Sequence, residues 1–429
     1  MTKIIQLIYH HYTQSTGIFT DTRKPLKNGI FFALSGPNFN GNKFAQQAIE
    51  SGAITAIIDD PKFKTDDRFV VVPDTLEALQ DLARLHRQKF NGSVIGLTGS
   101  NGKTTTKELI HAVLGKKYRV TTTQGNLNNH IGVPLTILSI PENSEIAVIE
   151  MGANHAGEIA MLCDIAQPTH SLITNIGKAH LDGFGGIEGV TRAKSELYDY
   201  LLKNKGQVFI NQKDGILLNI GKRFPDAIYY PSGEFFSIQL INSNPYVVFK
   251  SEGGQEIQTQ LIGNYNFINI AAALCIGKYF NVAADLAENA IVNYLPTINR
   301  SQVIQKAGNT IILDAYNANP DSMRAALENV SAMDGKSKVV ILGDMLELGE
   351  KASQEHEILG DLVASVNPDH AFFCGELVLS SYERVKNSKH FETKEQLVNY
   401  LKSHPFTDAI VLIKASRVLG LETLIEEAF

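Results

Sequence analysis

The chain lacks most of the features that mark specialised classes of protein. It has no tryptophan, which excludes nothing by itself, and only three cysteines, Cys163, Cys275 and Cys374. The cysteines are scattered, so no disulfide framework is expected and a reducing, cytoplasmic location is. No apolar stretch approaches membrane-spanning length, and the N-terminus lacks the architecture of a secretion signal. No long basic run occurs and the formal net charge is −6, which argues against a nucleic-acid-binding surface. Short-period repeats and low-complexity tracts are missing as well.

What remains is an ordinary globular composition, 44% hydrophobic, in 429 residues. That length predicts two or three domains. The most informative stretch is Thr98-Gly99-Ser100-Asn101-Gly102-Lys103-Thr104. It stands between a short apolar run, Ser93 to Thr98, and a run with Leu109, Ile110, Val113 and Leu114 at helical spacing. A glycine-rich turn between strand and helix aims backbone N–H groups and a helix N-terminus at one spot, which suits phosphate. Lys103 adds a positive charge for the β- and γ-phosphates, and Thr104 a hydroxyl for Mg²⁺. The strict phosphate-loop pattern wants glycine where Leu97 stands, so the loop is a shortened variant.

The chain divides into three parts: residues 1–90, 91–298 and 299–429. The first has strand-like runs at Gly29–Leu34, Ile54–Asp59 and Phe69–Pro73. Its last helix is expected from Asp74, with Glu77 three residues on in the manner of a capping box. The second continues from the phosphate loop through strands Ile146–Glu150 and Ser171–Asn175. Residues 229–262 alternate like antiparallel strands, a helix follows Asn266, and Pro296–Arg300 is a plausible hinge. The third alternates strands (Thr310–Ala315, Lys338–Leu342, His370–Cys374, Ala409–Lys414) with helices, one of them opening at Asn319-Pro320. Such alternation predicts an α/β fold with a parallel sheet and helices on both faces. Ligands in such sheets gather at the carboxyl ends of strands, where Asp314, Asp344 and Lys414 fall.

Three further residues carry possible chemistry. Glu150 ends a strand and suits Mg²⁺ opposite the phosphate loop, or simply faces solvent. His180 follows the third strand; a lone histidine is as readily structural as a ligand. Lys194 shares an inward stripe with Val190, Leu197 and Leu201 on a helix expected over Glu188–Leu202. A lysine there snorkels, finds a partner or loses its charge.

Several long stretches resemble the Mur ligase family, in family order and over nearly the whole chain. They are T-G-S-N-G-K-T (98–104), G-N-L-N-N-H-I-G-V-P (125–134), E-M-G-A-N-H (150–155), T-N-I-G-K-A-H-L-D-G-F (174–184), A-K-S-E (193–196), D-A-Y-N-A-N-P-D-S-M (314–323) and L-G-D-M-L-E-L-G (342–349). The resemblance implies an N-terminal domain for a UDP-sugar, a central ATPase domain and a C-terminal Rossmann-like domain. The implied activity is ATP-dependent amide formation through an acyl phosphate. N-L-N-N and the last two stretches favour the member that takes a UDP-MurNAc-tripeptide and D-Ala-D-Ala.

By position, the resemblance implies ATP contacts at Thr98, Gly99, Ser100, Asn101, Gly102, Lys103, Thr104, Thr105, Asn266, Arg300, Asp314, Tyr316 and Asn317. It implies substrate contacts at Thr22, Arg23, Asn128 and Asn129. Two Mg²⁺ ions would use Thr104, Glu150, His180 and a carbamylated Lys194. Lys103, Lys194, His180 and Glu150 form the implied catalytic set, and a monomer is expected. The chain departs from the family at Tyr265, commonly His, at Asn299, commonly Gly, and at Ala415, where Lys-Gly-Ser-Arg is usual. A related ligase with another substrate pair and a non-ligating nucleotide-binding regulator remain as alternatives.

Overall fold

A computed structural model of the chain describes residues 2–296, 300–334 and 337–429. Three parallel or mostly parallel sheets follow one another along the sequence. The first has the order Ile18–Phe19, Ile30–Phe32, Thr55–Ile58, Phe69–Val71. The three expected strands form, slightly shortened. The strand Ile18–Phe19 and the opening helix Lys3–Thr13 were not legible in the pattern. The helix Thr75–Lys89 starts where expected, with the Asp74 side chain accepting from Glu77 N at 2.8 Å, which is the N-cap half of the expected capping box. It packs on the helices Gly132–Leu138 and Glu158–Ala166, so it belongs in packing terms to the second sheet as well.

The second sheet is wholly parallel, in the order Ile228–Tyr230, Gln207–Asn211, His170–Ile173, Ser93–Thr98, Ile146–Glu150, Val120–Thr122. Its inner strands are buried on both faces, as a parallel sheet requires. Ile95, Leu97, Ile146 and Val148 pack under the helices Lys103–Leu114 and Tyr265–Tyr279. Val94, Ala147 and Ile149 face the helices Glu158–Ala166 and Ile187–Asn204. The strands that follow Ser93–Thr98 are added first on one side of it and then on the other, so this strand flanks the topological switch point where ligands bind. Registers Leu97↔Glu150 and Thr98↔Ile173 bring three strand ends side by side.

The antiparallel expectation for 229–262 is corrected at its start. Ile228–Tyr230 joins the parallel sheet, and only Gln239–Asn242, Tyr246–Lys250 and Glu256–Ile262 form an antiparallel sheet. The third large sheet runs Gln302–Lys306, Asn309–Leu313, Ala409–Lys414, Ser337–Gly343, His370–Cys374, Ser388–Phe391. Its first pair is antiparallel and the rest are parallel. Asn319 caps the helix Pro320–Ala332 in a full capping box with Ser322. The expected hinge falls largely on residues 297–299, outside the described residues, as does the departure at Asn299.

Tyr198 ties the helix that carries Lys194 to the sheet. Its hydroxyl donates to Phe209 O at 2.9 Å and accepts from Ile173 N at 3.1 Å, all buried. Tyr198→Phe leaves one N–H and one C=O without that partner in the core. The expected loss is about 1–3 kcal/mol, read as a lower urea midpoint with an unchanged slope.

Candidate active site at the strand ends

The phosphate loop forms as the sequence predicts, and its glycines are required. Gly99 has φ +152°, and a Cβ there would meet Thr174 Oγ1 at 1.9 Å. Gly102, at φ +77°, precedes the first turn of Lys103–Leu114, and a Cβ there would meet Asn269 Oδ1 at 2.8 Å. Asn269 is held by Thr106 Oγ1 at 3.1 Å and donates to Asn266 Oδ1 at 2.9 Å, so the loop is braced from behind. Lys103 Nζ donates to Gly99 O at 2.8 Å, across its own loop. Burial pushes its pKa down, and Glu150 opposes the shift.

Glu150 does not face solvent; it is 1% exposed. Thr104 Oγ1 donates to its Oε2 at 3.0 Å and Asn128 Nδ2 to its Oε1 at 2.8 Å. Lys107 Nζ lies 4.0 Å from Oε2 and donates to Thr123 O at 2.7 Å. Thr104 and Glu150 thus present paired oxygens beside the phosphate loop, the donor type that Mg²⁺ takes. Among the described residues no group of three or more His, Cys, Asp or Glu forms a metal cage. An ion here would complete its shell with phosphate oxygens and water, as Mg²⁺ commonly does.

His180 sits in the left-handed region at φ +52° and opens the short helix Leu181–Phe184. Its Nδ1 is 2.5 Å from Glu347 Oε2, outside hydrogen-bond alignment. The contact lowers the Glu347 pKa. Lys194 is 1% exposed on the helix Ile187–Asn204, with Val190, Leu197 and Leu201 buried beside it. Its Nζ lies 5.7 Å from the Phe184 ring and has no ion-pair or hydrogen-bond partner among the described residues. Burial first, and then the charge of Lys103, push its pKa far down.

A cavity of about 740 Å³ opens over these strand ends. From the second sheet it gathers Ser100 to Thr105, Asn128, Asn129, Glu150, His180 and Asn266. From the third come Arg300, Asp314, Tyr316 and Asn317. Thr98, Gly99 and Lys194 do not line the cavity. Thr22 and Arg23 stand apart on the first sheet's unit, where Arg23 is exposed and pairs with Asp21 at 2.8 Å. Asn129 Oδ1 is engaged by Gly132 N at 2.9 Å and Ile131 N at 3.1 Å.

The third unit is held over the loop by direct bonds. Asn319 Nδ2 donates to Asn101 Oδ1 at 2.7 Å, and Lys178 N to Asp321 Oδ2 at 2.6 Å. Lys178 Nζ pairs with Glu355 at 2.6 Å. Buried Lys414 donates to Asp314 Oδ2 at 2.5 Å and Asn317 O at 3.1 Å. The guanidiniums of Arg300 and Arg417 lie 3.8 Å and 5.2 Å from the Tyr316 ring. Tyr265 reaches Ser301 Oγ at 2.8 Å. Ala415 is buried outside the left-handed region, so glycine is not needed there.

Lys107, Asn269 and Glu347 escape the reading of single residues, and Asn319 reads from the sequence only as a helix cap. Lys107 and Asn269 were findable by spacing, one helical turn after Lys103 and Asn266. Nothing in the sequence signals that Glu347 meets His180.

Residues 97–277 match the Mur ligase middle domain and residues 299–417 the Mur ligase glutamate ligase domain. The UDP-N-acetylmuramoyl-tripeptide–D-alanyl-D-alanine ligase of Bacillus subtilis is 37% identical over 96% of this chain and 92% of its own. The crystal structure of MurF from Acinetobacter baumannii superposes with a TM-score of 0.87 at 32% identity, covering 99% of this chain and 98% of that one. MurF ligase from Thermotoga maritima in complex with ADP gives 0.85 at 27%, covering 100% and 98%. Two matching domains in sequence order, and relatives of this identity along nearly the whole length, lead to one conclusion: the chain belongs to the Mur ligase family.

Proposed function

We propose that the chain is an ATP-dependent ligase that joins D-Ala-D-Ala to a UDP-MurNAc-tripeptide, with release of ADP and phosphate. The observation that carries this is the single cavity in which Lys103, Glu150 and His180 meet Arg300, Asp314 and Tyr316. The named relatives supply the substrate pair. We take residues 1–90, 91–298 and 299–429 as the three domains, acting as a monomer on precursors in the cytoplasm. Among the described residues no helix is long and apolar enough to cross a membrane.

In the reaction a carboxylate oxygen of the tripeptide attacks the γ-phosphorus, and the bond to ADP breaks. The amine nitrogen of the dipeptide then attacks the acyl carbon, and phosphate leaves with the C–O bond pair. The protein's share is positioning and charge neutralisation. Lys103 and the loop N–H groups meet charge on the transferred group. Arg300, Asp314, Tyr316 and Asn317 hold the nucleotide from the opposite wall, while Thr22 and Arg23 approach the UDP-sugar. Asn128 fixes Glu150, and Asn129 shapes the turn beneath the peptide. Mg²⁺, when bound, neutralises phosphate charge; Thr104 and Glu150 would hold one ion, His180 and carbamylated Lys194 a second. The docked third unit excludes water from an acyl phosphate that water would destroy.

Three outcomes are expected. Lys103→Ala reduces ADP release by at least about a hundredfold while the circular dichroism spectrum and melting point hold, since a lost charge contact in a dry site has that weight. ADP release needs both substrates and follows dipeptide concentration; equal rates with a diamino acid as sole acceptor would reassign the substrate. Lys194→Arg keeps a cation but cannot form a carbamate, so turnover is nearly abolished. Lys194→Ala is equally inactive, yet regains part of its rate with added short carboxylates. Normal activity and Mg²⁺ dependence in Lys194→Arg would return this lysine to a structural role.

A further inference from the structure

We propose that Glu347 forms the subsite for the amino group of the acceptor. The proposal rests on the ligase reading and adds the residue that receives the second substrate.

Five acidic residues line the cavity, and four are already engaged. Glu150 takes Thr104, Asn128 and the nearby Lys107. Glu158 accepts from Asn154 N at 2.7 Å and His155 N at 3.1 Å. Asp314 is paired with Lys414, and Asp321 accepts from Lys178 N. Glu347 has only His180 beside it among the described residues, and its side chain is 53% exposed. An acceptor brings an amino group into a cavity otherwise rich in cations, namely Lys103, Arg300 and Lys414. Of the five, Glu347 is the exposed one, and it keeps a carboxylate oxygen beyond the one that meets His180 to take N–H bonds from it.

The backbone supports a fixed role. Glu347 has φ +62°, a conformation costly for a residue with a Cβ. The surrounding loop enforces it. Met345 and Leu348 are buried on either side, and Met345 N donates to His356 Nε2 at 3.1 Å. Leu346 N donates to Ser416 Oγ at 3.2 Å, and Asp182 N reaches Glu347 O at 3.4 Å. A Cβ on Gly349 would strike Asp182 at 2.5 Å, so the loop is pressed against the second unit. Such a loop holds its side chain where it is. Because Glu347 arrives with the third unit, this subsite is complete only when that unit is docked beside the phosphate loop.

The test separates the two halves of the reaction. Hydroxylamine traps an acyl phosphate as a hydroxamate when ATP and UDP-MurNAc-tripeptide are supplied without dipeptide. Glu347→Gln should trap at a rate within about twofold of wild type, while the KM for D-Ala-D-Ala rises about 10- to 100-fold, the weight of a charge-assisted hydrogen bond. Glu347→Asp should fall between. Propionyl-D-alanine, which lacks the amino group, should inhibit wild type and Glu347→Gln equally. Unchanged KM for the dipeptide would overturn the assignment. So would a hydroxamate rate that falls in step with ligation, because Glu347 would then serve phosphoryl transfer through His180. Absence of hydroxamate from the wild-type protein would instead remove the ligase reading itself.

Discussion

The carboxylate of Glu150 is the constraint around which the central unit is organised. A buried anion is expensive unless hydrogen-bonded and paired. Its neighbours come from separate pieces of chain: Thr104 and Lys107 from the phosphate-loop helix and Asn128 from the segment after Val120–Thr122, where Thr123 Oγ1 also accepts from the Glu150 backbone N–H. Satisfying one carboxylate therefore fixes the distance between strand end, loop and helix. It also places two oxygens where a nucleotide-bound cation would need them.

Around that anion the cations are crowded and poorly solvated. Lys103 and Lys107 each have lowered pKa values because burial outweighs the attraction of Glu150. Lys194 has no carboxylate partner among the described residues and suffers Lys103 as well. Adding polyanionic phosphates would relieve this repulsion.

The third unit supplies what the central sheet cannot. Its contribution arrives at the carboxyl ends of its own strands, where Asp314 and Lys414 sit next to each other across paired strands. The two sets of strand ends thus face one cavity. The two units meet through direct polar bonds, Asn319–Asn101 and Lys178–Asp321 among them. Contacts of that kind suit a surface that separates and reforms as ligands come and go.

The sequence by itself determined the elements with strong local signals. The strand–loop–helix at 93–114, the cap at Asp74, the N-cap and proline at Asn319-Pro320 and the inward stripe of Lys194 all follow from spacing and turn chemistry, which act over a few residues. The short strand Ile18–Phe19, the edge strands Gln302–Lys306 and Ser388–Phe391, and the split of 229–262 between two sheets were decided by pairing partners far along the chain. The site divides in the same way. Lys103 and Thr104 are legible because the loop motif is contiguous. That Glu150 is buried rather than solvated, that Arg300 covers Tyr316, and that Glu347 meets His180 across 167 positions depend on sheet order and docking. Local sequence encodes backbone preference and periodicity, whereas the meeting of distant side chains is fixed only when the sheets are ordered and the units packed.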